Sequence, residues 1–243
     1  MTPDATDRRN ILFCIALLLL AAAVTDPRLE MGVNDDWSYA HTAREFASSG
    51  RIAYNGWAVA MLLPQIVWAG VFIKLCGFSF FILRLSTLVL GAFTVPILYY
   101  LGRESGLSPP FATFATLLTM LSPLVLPEAV SFMSDVPAFF LFTLCFYSAI
   151  KSWKASSTKT CIGWAGLVVL AGVLSGMNRQ IYWLAPLLFL PAIAWIQRRK
   201  QGAAIGLGAG WLLTILAVGC SALWYKAQPY SLAEHALDTW RDS

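Results

Sequence analysis

Apolar and polar positions separate into long blocks along this chain instead of alternating. A polar start, Met1 to Asn10 with Arg8 and Arg9, leads into an apolar run from Ile11 to Val24. Further apolar runs are Trp57 to Gly77, Phe80 to Gly102, Phe111 to Leu126, Val136 to Ile150, Ile162 to Met177, Ile181 to Ile196 and Ala203 to Tyr225. Runs of this length predict helices that cross a bilayer, for which about 20 mostly apolar residues suffice. Basic residues ahead of Ile11 fit either a signal peptide or a retained first helix, and both place Thr25 onward outside. A retained helix is the reading adopted, because the later runs already commit the chain to the membrane.

Charge decides which runs cross. Arg103, the group Lys151, Lys154 and Lys159, and the run Arg198, Arg199 and Lys200 all fall on the cytoplasmic side only if one run before Arg103 does not span. Trp57 to Gly77 is the weakest, with Pro64 and Gln65 near its middle and Lys74 near its end. With its amphipathic start, it is expected to form an interfacial or re-entrant helix on the outer side. The fold expected is an all-α polytopic membrane helical bundle of about seven spans with juxtamembrane helices on the outer side. Outer loops then hold Asp26, Glu30, Asp35, Asp36, Glu45, Glu128 and Asp135, and the first of them covers residues 25–84.

Composition agrees. The 243 residues are 58% hydrophobic and 12% charged, against about 25% charged in soluble domains. A water-soluble globule, a disordered chain, collagen and a coiled coil are excluded. The net charge of +4 is a marker of topology, and no nucleic-acid partner is expected. Cys14, Cys145 and Cys220 lie in apolar runs without C-x-x-C or Cys/His spacing, so they are packing residues. No linker or repeat breaks the chain, and residues 1–243 are expected to form one membrane domain. An amphipathic outer segment, Ser231 to Trp240, follows the last run.

Three outer features carry candidate chemistry. Asn34-Asp35-Asp36-Trp37-Ser38-Tyr39-Ala40 opens a short surface helix whose apolar positions Trp37, Ala40, Ala43 and Ala47 recur at helical spacing. Its two acids either only cap that helix or serve chemistry there. Asp135, just before Val136-Pro137 at the mouth of a span, combines ordinary capping with a charge beside apolar surface. Asn178-Arg179-Gln180 sits between two apolar runs, and Arg179 either snorkels to headgroups or presents planar donors to a phosphate. Arg84, at the start of a span, either anchors it or meets an anionic headgroup. P-loop, dinucleotide and H-E-x-x-H motifs are absent. His41 and Glu45 have the spacing of a helix pair, and Gly202, Gly206 and Gly210 form a helix-packing face.

These features, in this order and on one side, resemble the GT-C class of integral-membrane glycosyltransferases, in the branch of protein O-mannosyltransferases and lipid A aminoarabinose transferases. Asp35-Asp36-Trp37-Ser38-Tyr39-Ala40 resembles the acidic pair and Tyr-Ala of that branch's first outer loop. Leu75 to Ser79, Leu83-Arg84-Leu85-Ser86 and Tyr99 to Gly106 are similar to the turns that follow, and Ser134-Asp135-Val136-Pro137 to the Asp-x-Pro of the second outer loop. Arg179-Gln180 falls where many relatives place a basic residue near the lipid phosphate. Two departures stand out: Asp-Asp replaces the aminoarabinose branch's Asp-Glu, and its Lys-Pro-Pro-like signature is reduced to Leu63-Pro64.

The resemblance implies transfer of a sugar from a polyprenyl-phosphate donor to a lipid, glycan or protein hydroxyl at the outer face of a bacterial inner membrane, with the N-terminus cytoplasmic. It implies Asp35 as general base, Asp36 as its helper, Asp135 as acceptor-positioning group, and Arg179 with Arg84 on the lipid phosphate. If a divalent cation such as Mg2+ or Mn2+ takes part, Asp35, Asp36 and Asp135 would hold it. Relatives in that branch continue through further spans, so the resemblance leads us to expect either their N-terminal catalytic half or a short member. Two other functions fit the composition: a transporter or flippase subunit for lipid-linked sugars, expected to carry acids near the bilayer midplane, and a non-catalytic assembly subunit.

Overall fold

A computed structural model of the chain describes residues 4–231. Among them are ten α-helices and one 3-10 turn, with no strand: α1 (Ala5–Val24), α2 (Asp36–Ser49), α3 (Leu63–Cys76), α4 (Phe80–Glu104), α5 (Pro109–Met120), α6 (Leu126–Ala129), α7 (Asp135–Lys154), α8 (Thr158–Asn178), the turn Gln180–Trp183, α9 (Leu184–Ile196) and α10 (Gln201–Lys226). This is the expected all-α membrane bundle. The segment expected to be amphipathic from Ser231 to Trp240 lies, beyond Ser231 itself, outside the described residues.

Each of the seven runs expected to cross forms a helix. Four, α4, α7, α8 and α10, are long and apolar enough to span on their own. The others are limited by charge or length: α1 carries Asp7, Arg8 and Arg9, and α5 and α9 have 12 and 13 residues, about 18–20 Å of helix.

Helix packing sorts the charges to two ends. At one end Asp7 accepts a hydrogen bond from Tyr99 at 2.7 Å and pairs with Arg103 at 3.3 Å. Glu104 there pairs with Lys151 at 2.8 Å and Lys154 at 3.2 Å, and Lys200 donates to the Ala155 carbonyl at 3.1 Å. The starts of α4 and α7 and the ends of α8 and α10 meet at the opposite end, where α2 and α3 cover them. The long helices α4 and α7 therefore run parallel to each other and antiparallel to α8 and α10, and the basic connections gather away from the acidic ones.

Close helix approach depends on small residues, as is usual where lipid supplies no hydrophobic drive between helices. A Cβ at Gly206 would lie 2.7 Å from Ile162 Cδ1, and at Gly202 and Gly210 it would touch Thr158 and Val169 at 3.4 Å. The glycine face therefore seats α10 on α8. Gly176 similarly makes room for the Trp183 indole, whose Cδ1 would sit 1.9 Å from an added Cβ. That contact folds the 3-10 turn back onto α8. Hydroxyls within the helices bond their own backbone, as Thr94 does to Leu90 at 2.8 Å and Ser221 to Ala217 at 2.6 Å.

The Trp57 to Gly77 run corrects one expectation. No amphipathic helix begins at Trp57; the helix starts at Leu63, where Pro64 occupies the first turn and its missing N–H costs nothing. Residues 57–62 form a non-helical strap. Its backbone is bonded from several directions: Leu62 N–H to the Asn178 carbonyl at 3.3 Å, the Tyr54 hydroxyl to the Met61 carbonyl at 2.5 Å, and the Tyr225 hydroxyl to the Ala58 carbonyl at 2.9 Å. All of these partners lie at the acidic end.

Candidate active site at the acidic end of the bundle

Asp35 and Asp36 stand side by side in sequence and face different partners. Asn34, with φ 58°, turns the chain into α2, and Asp35 holds the N-cap position without capping the helix through its side chain. Its carboxylate instead accepts the Trp57 indole N–H at 2.8 Å. Asp36 is fully buried. Its Oδ1 accepts the Val33 amide at 2.5 Å, and its Oδ2 accepts no hydrogen bond and lies 3.6 Å from the Arg84 guanidinium. Burial pushes the Asp36 carboxyl above the ordinary range, against the opposing pull of the Val33 amide and Arg84.

Arg84 directs its guanidinium to the backbone of the first loop. It is 3% exposed, and its guanidinium donates to the Pro27 carbonyl at 3.1 Å, Leu29 at 2.5 Å and Met31 at 2.6 Å. With three carbonyls and Asp36 around it, it clamps the first loop onto the start of α4.

Arg179 is extended between α8 and the 3-10 turn and forms an ion pair with Asp135 at the start of α7. It also lines a cleft of about 320 Å³ with Asp35, Tyr39, Trp57 and Gln180. On the other side of the pair, Asp135 lines a smaller cleft of about 140 Å³ with Glu128 and Tyr182. The Arg179–Asp135 pair thus stands between two cavities. Glu128 Oε2 is buried without a partner, and burial together with the Asp135 charge raises the Glu128 carboxyl. Burial and the Asp35 charge likewise raise the Tyr39 hydroxyl.

Asp35, Asp36 and Asp135 do not converge. One is tied to Trp57, one to the Val33 amide and Arg84, and one to Arg179. Among the described residues no three His, Cys, Asp or Glu side chains come together to hold a metal ion. A divalent cation shared by the three aspartates does not fit this geometry.

Several contributors are invisible to sequence patterning. Trp57 reads as the first residue of an apolar run, and only the Asn55-Gly56 turn before it, with Gly56 at φ 79°, signals a side chain that is aimed. Asn55 Nδ2 donates to the Ser38 carbonyl at 3.2 Å, and the Ser38 hydroxyl donates back to Asn55 Oδ1 at 2.9 Å. Gln65 is buried and donates to the Phe132 carbonyl at 2.9 Å, while Asn178 donates to that of Ser134 at 2.8 Å. These amides tie α3, the second acidic loop and α8 together beneath the cleft.

The fold is an all-α membrane bundle, and a carboxylate and an arginine share a cleft at one end of it. The sequence pattern of the family described as dolichyl-phosphate-mannose-protein mannosyltransferase matches residues 8–218, a stretch holding every site residue above. The chain belongs to that family. No curated protein and no solved structure matches it.

Proposed function

We propose that the chain transfers a sugar from a polyprenyl-phosphate donor to a lipid, glycan or protein hydroxyl in the Asp35 cleft, on the outer face of a bacterial inner membrane. The observation carrying this reading is that Asp35 and Arg179 line the same cavity. The acceptor hydroxyl oxygen attacks the anomeric carbon, and its proton passes to Asp35. The bond from that carbon to the phosphate oxygen breaks, and its electron pair leaves with the polyprenyl phosphate. Arg179 supplies the cation this growing charge requires, and Asp135 holds the guanidinium in place. Asp36 and Arg84 act at one remove, by fixing the loop that presents Asp35. A transporter reading has less support, because its acids belong near the midplane and these sit at one end.

Purified protein given a labelled polyprenyl-phosphate sugar tests the assignment of Arg179. The Arg179→Met variant is expected to raise the donor KM about 10- to 100-fold, in keeping with the loss of a charge-assisted hydrogen bond to a phosphate, with the acceptor KM unchanged. A donor KM equal to wild type overturns the assignment.

Facing follows from charge, since basic connections favour the cytoplasm. In a background without native cysteines, Ser48→Cys is expected to react with a membrane-impermeant maleimide on intact cells. Ser156→Cys, at the other end, is expected to react only after permeabilisation. The reverse pattern would put the cleft in the cytoplasm.

A further inference from the structure

Two exposed tryptophans flank Asp35, and the mechanism above uses neither. Trp57 is 54% exposed and Trp37 46% exposed. Their ring centroids lie 5.7 Å apart with the planes inclined at 51°, so the pair forms an angled aromatic surface, of which Trp57 lines the cleft and Trp37 extends it outward.

Both rings are held in place. The Trp57 backbone N–H donates to Asn55 Oδ1 at 3.2 Å, and Asn55 is itself bonded to Ser38 on α2. Its indole N–H is spent on Asp35. Trp37 is backed by Gly32, where an added Cβ would lie 2.6 Å from the Trp37 Cβ, so the first loop passes against it as only glycine allows. A tryptophan anchoring the chain at a membrane interface keeps its N–H for headgroups and water. Trp57 instead gives that N–H to a carboxylate and lines the cavity shared with Arg179 and Gln180.

We infer that Trp57 and Trp37 form the platform on which the pyranose ring of the donor sugar stacks, and that Trp57 is a positioning residue for the transfer. This rests on the proposed function. The chemistry fits a sugar: a pyranose has an apolar face of C–H groups, which an aromatic face desolvates, and a hydroxylated rim, which the polar groups of the cleft meet. The donor is the source of the ring because its phosphate, one bond away, belongs on Arg179 in the same cleft. Stacking on Trp57 sets the anomeric carbon beside Asp35, whose Oδ1 is fixed by the same side chain. One residue thereby orients both the sugar and the base.

Initial-rate kinetics on Trp57→Leu, Trp57→Phe and Trp37→Leu, with donor and acceptor varied separately, test this. Trp57→Leu removes ring and donor together and is expected to raise the donor KM about tenfold, equivalent to about 1.4 kcal/mol. Trp57→Phe keeps a ring and is expected to hold the donor KM within about twofold while kcat falls about tenfold, because the hydrogen bond to Asp35 is gone. Trp37→Leu is expected to raise the donor KM about threefold at unchanged acceptor KM. A donor KM unchanged in Trp57→Leu, or raised equally in Trp57→Phe, overturns the platform, as does a shift confined to the acceptor KM. Should Trp57→Leu not be recovered folded, Trp37→Leu decides alone. If the wild type transfers nothing from a polyprenyl-phosphate sugar, the function itself fails; active wild type with unmoved donor KM in the variants sinks the platform only.

Discussion

Asp35→Asn is expected to lower kcat about 10²- to 10⁴-fold, the range supplied by a general base, while insertion and yield stay at wild-type levels. The substitution is nearly isosteric. An asparagine carbonyl at this position still accepts the Trp57 indole N–H, the contact Asp35 makes now, so the strap keeps its place. What disappears is the capacity to take a proton from the acceptor hydroxyl. Because Asp35 does not cap α2 through its side chain, the helix loses no cap. A variant of full activity would remove Asp35 from the chemistry; one that fails to insert would make it structural. Transfer from labelled donor, read beside the chromatographic profile in detergent, separates the two.

Arg84→Met is expected to be the most destabilising single change at this end of the bundle, by about 3–5 kcal/mol, the cost of leaving one member of a buried ion pair alone. Three carbonyls of the first loop lose their donor, and Asp36, already raised by burial, loses the opposing pull of the guanidinium. Lysine is not expected to rescue it, since a compact ammonium does not reproduce a planar fork serving carbonyls along the loop. The sign of the pH dependence follows. In the variant the folded-state pKa of Asp36 lies further above its unfolded value, so the penalty is smallest below the unfolded pKa and grows as pH rises through the folded one. The melting temperature of the variant should therefore approach that of the wild type on going from neutral to acid pH. A wild-type melting temperature at neutral pH would show that the clamp contributes nothing.

Much of the bundle was readable because lipid imposes simple demands. A run that must satisfy its backbone internally becomes a helix, and each of the seven runs expected to cross did so. Trp57 to Gly77 was misread at its start because apolar composition says nothing about backbone partners. Residues 57–62 keep out of helix by bonding to Asn178, Tyr54 and Tyr225, two of which are far away in the chain. At the site, Asp35 was legible as one of two acids opening a surface helix, where a cap and a chemical role both fit. Its partner Trp57, 22 residues on, was not. Arg84 looked like a headgroup ligand because it opens a span, and the carbonyls that occupy it leave no mark in the sequence. The Asp135–Arg179 pair, 44 residues apart, depends on α7 and α8 packing antiparallel.

The Tyr225 hydroxyl reaches the carbonyls of the strap across 167 and 166 residues of chain. During synthesis the strap, with Trp57 beside Asp35, is therefore in the membrane long before the last helix exists to hold it. Contacts of such long range form late, so the strap is expected to be fixed last. The hydroxyl of α10 ties the two halves of the chain together at the wall of the cleft, where Val59 is both its partner and a lining residue.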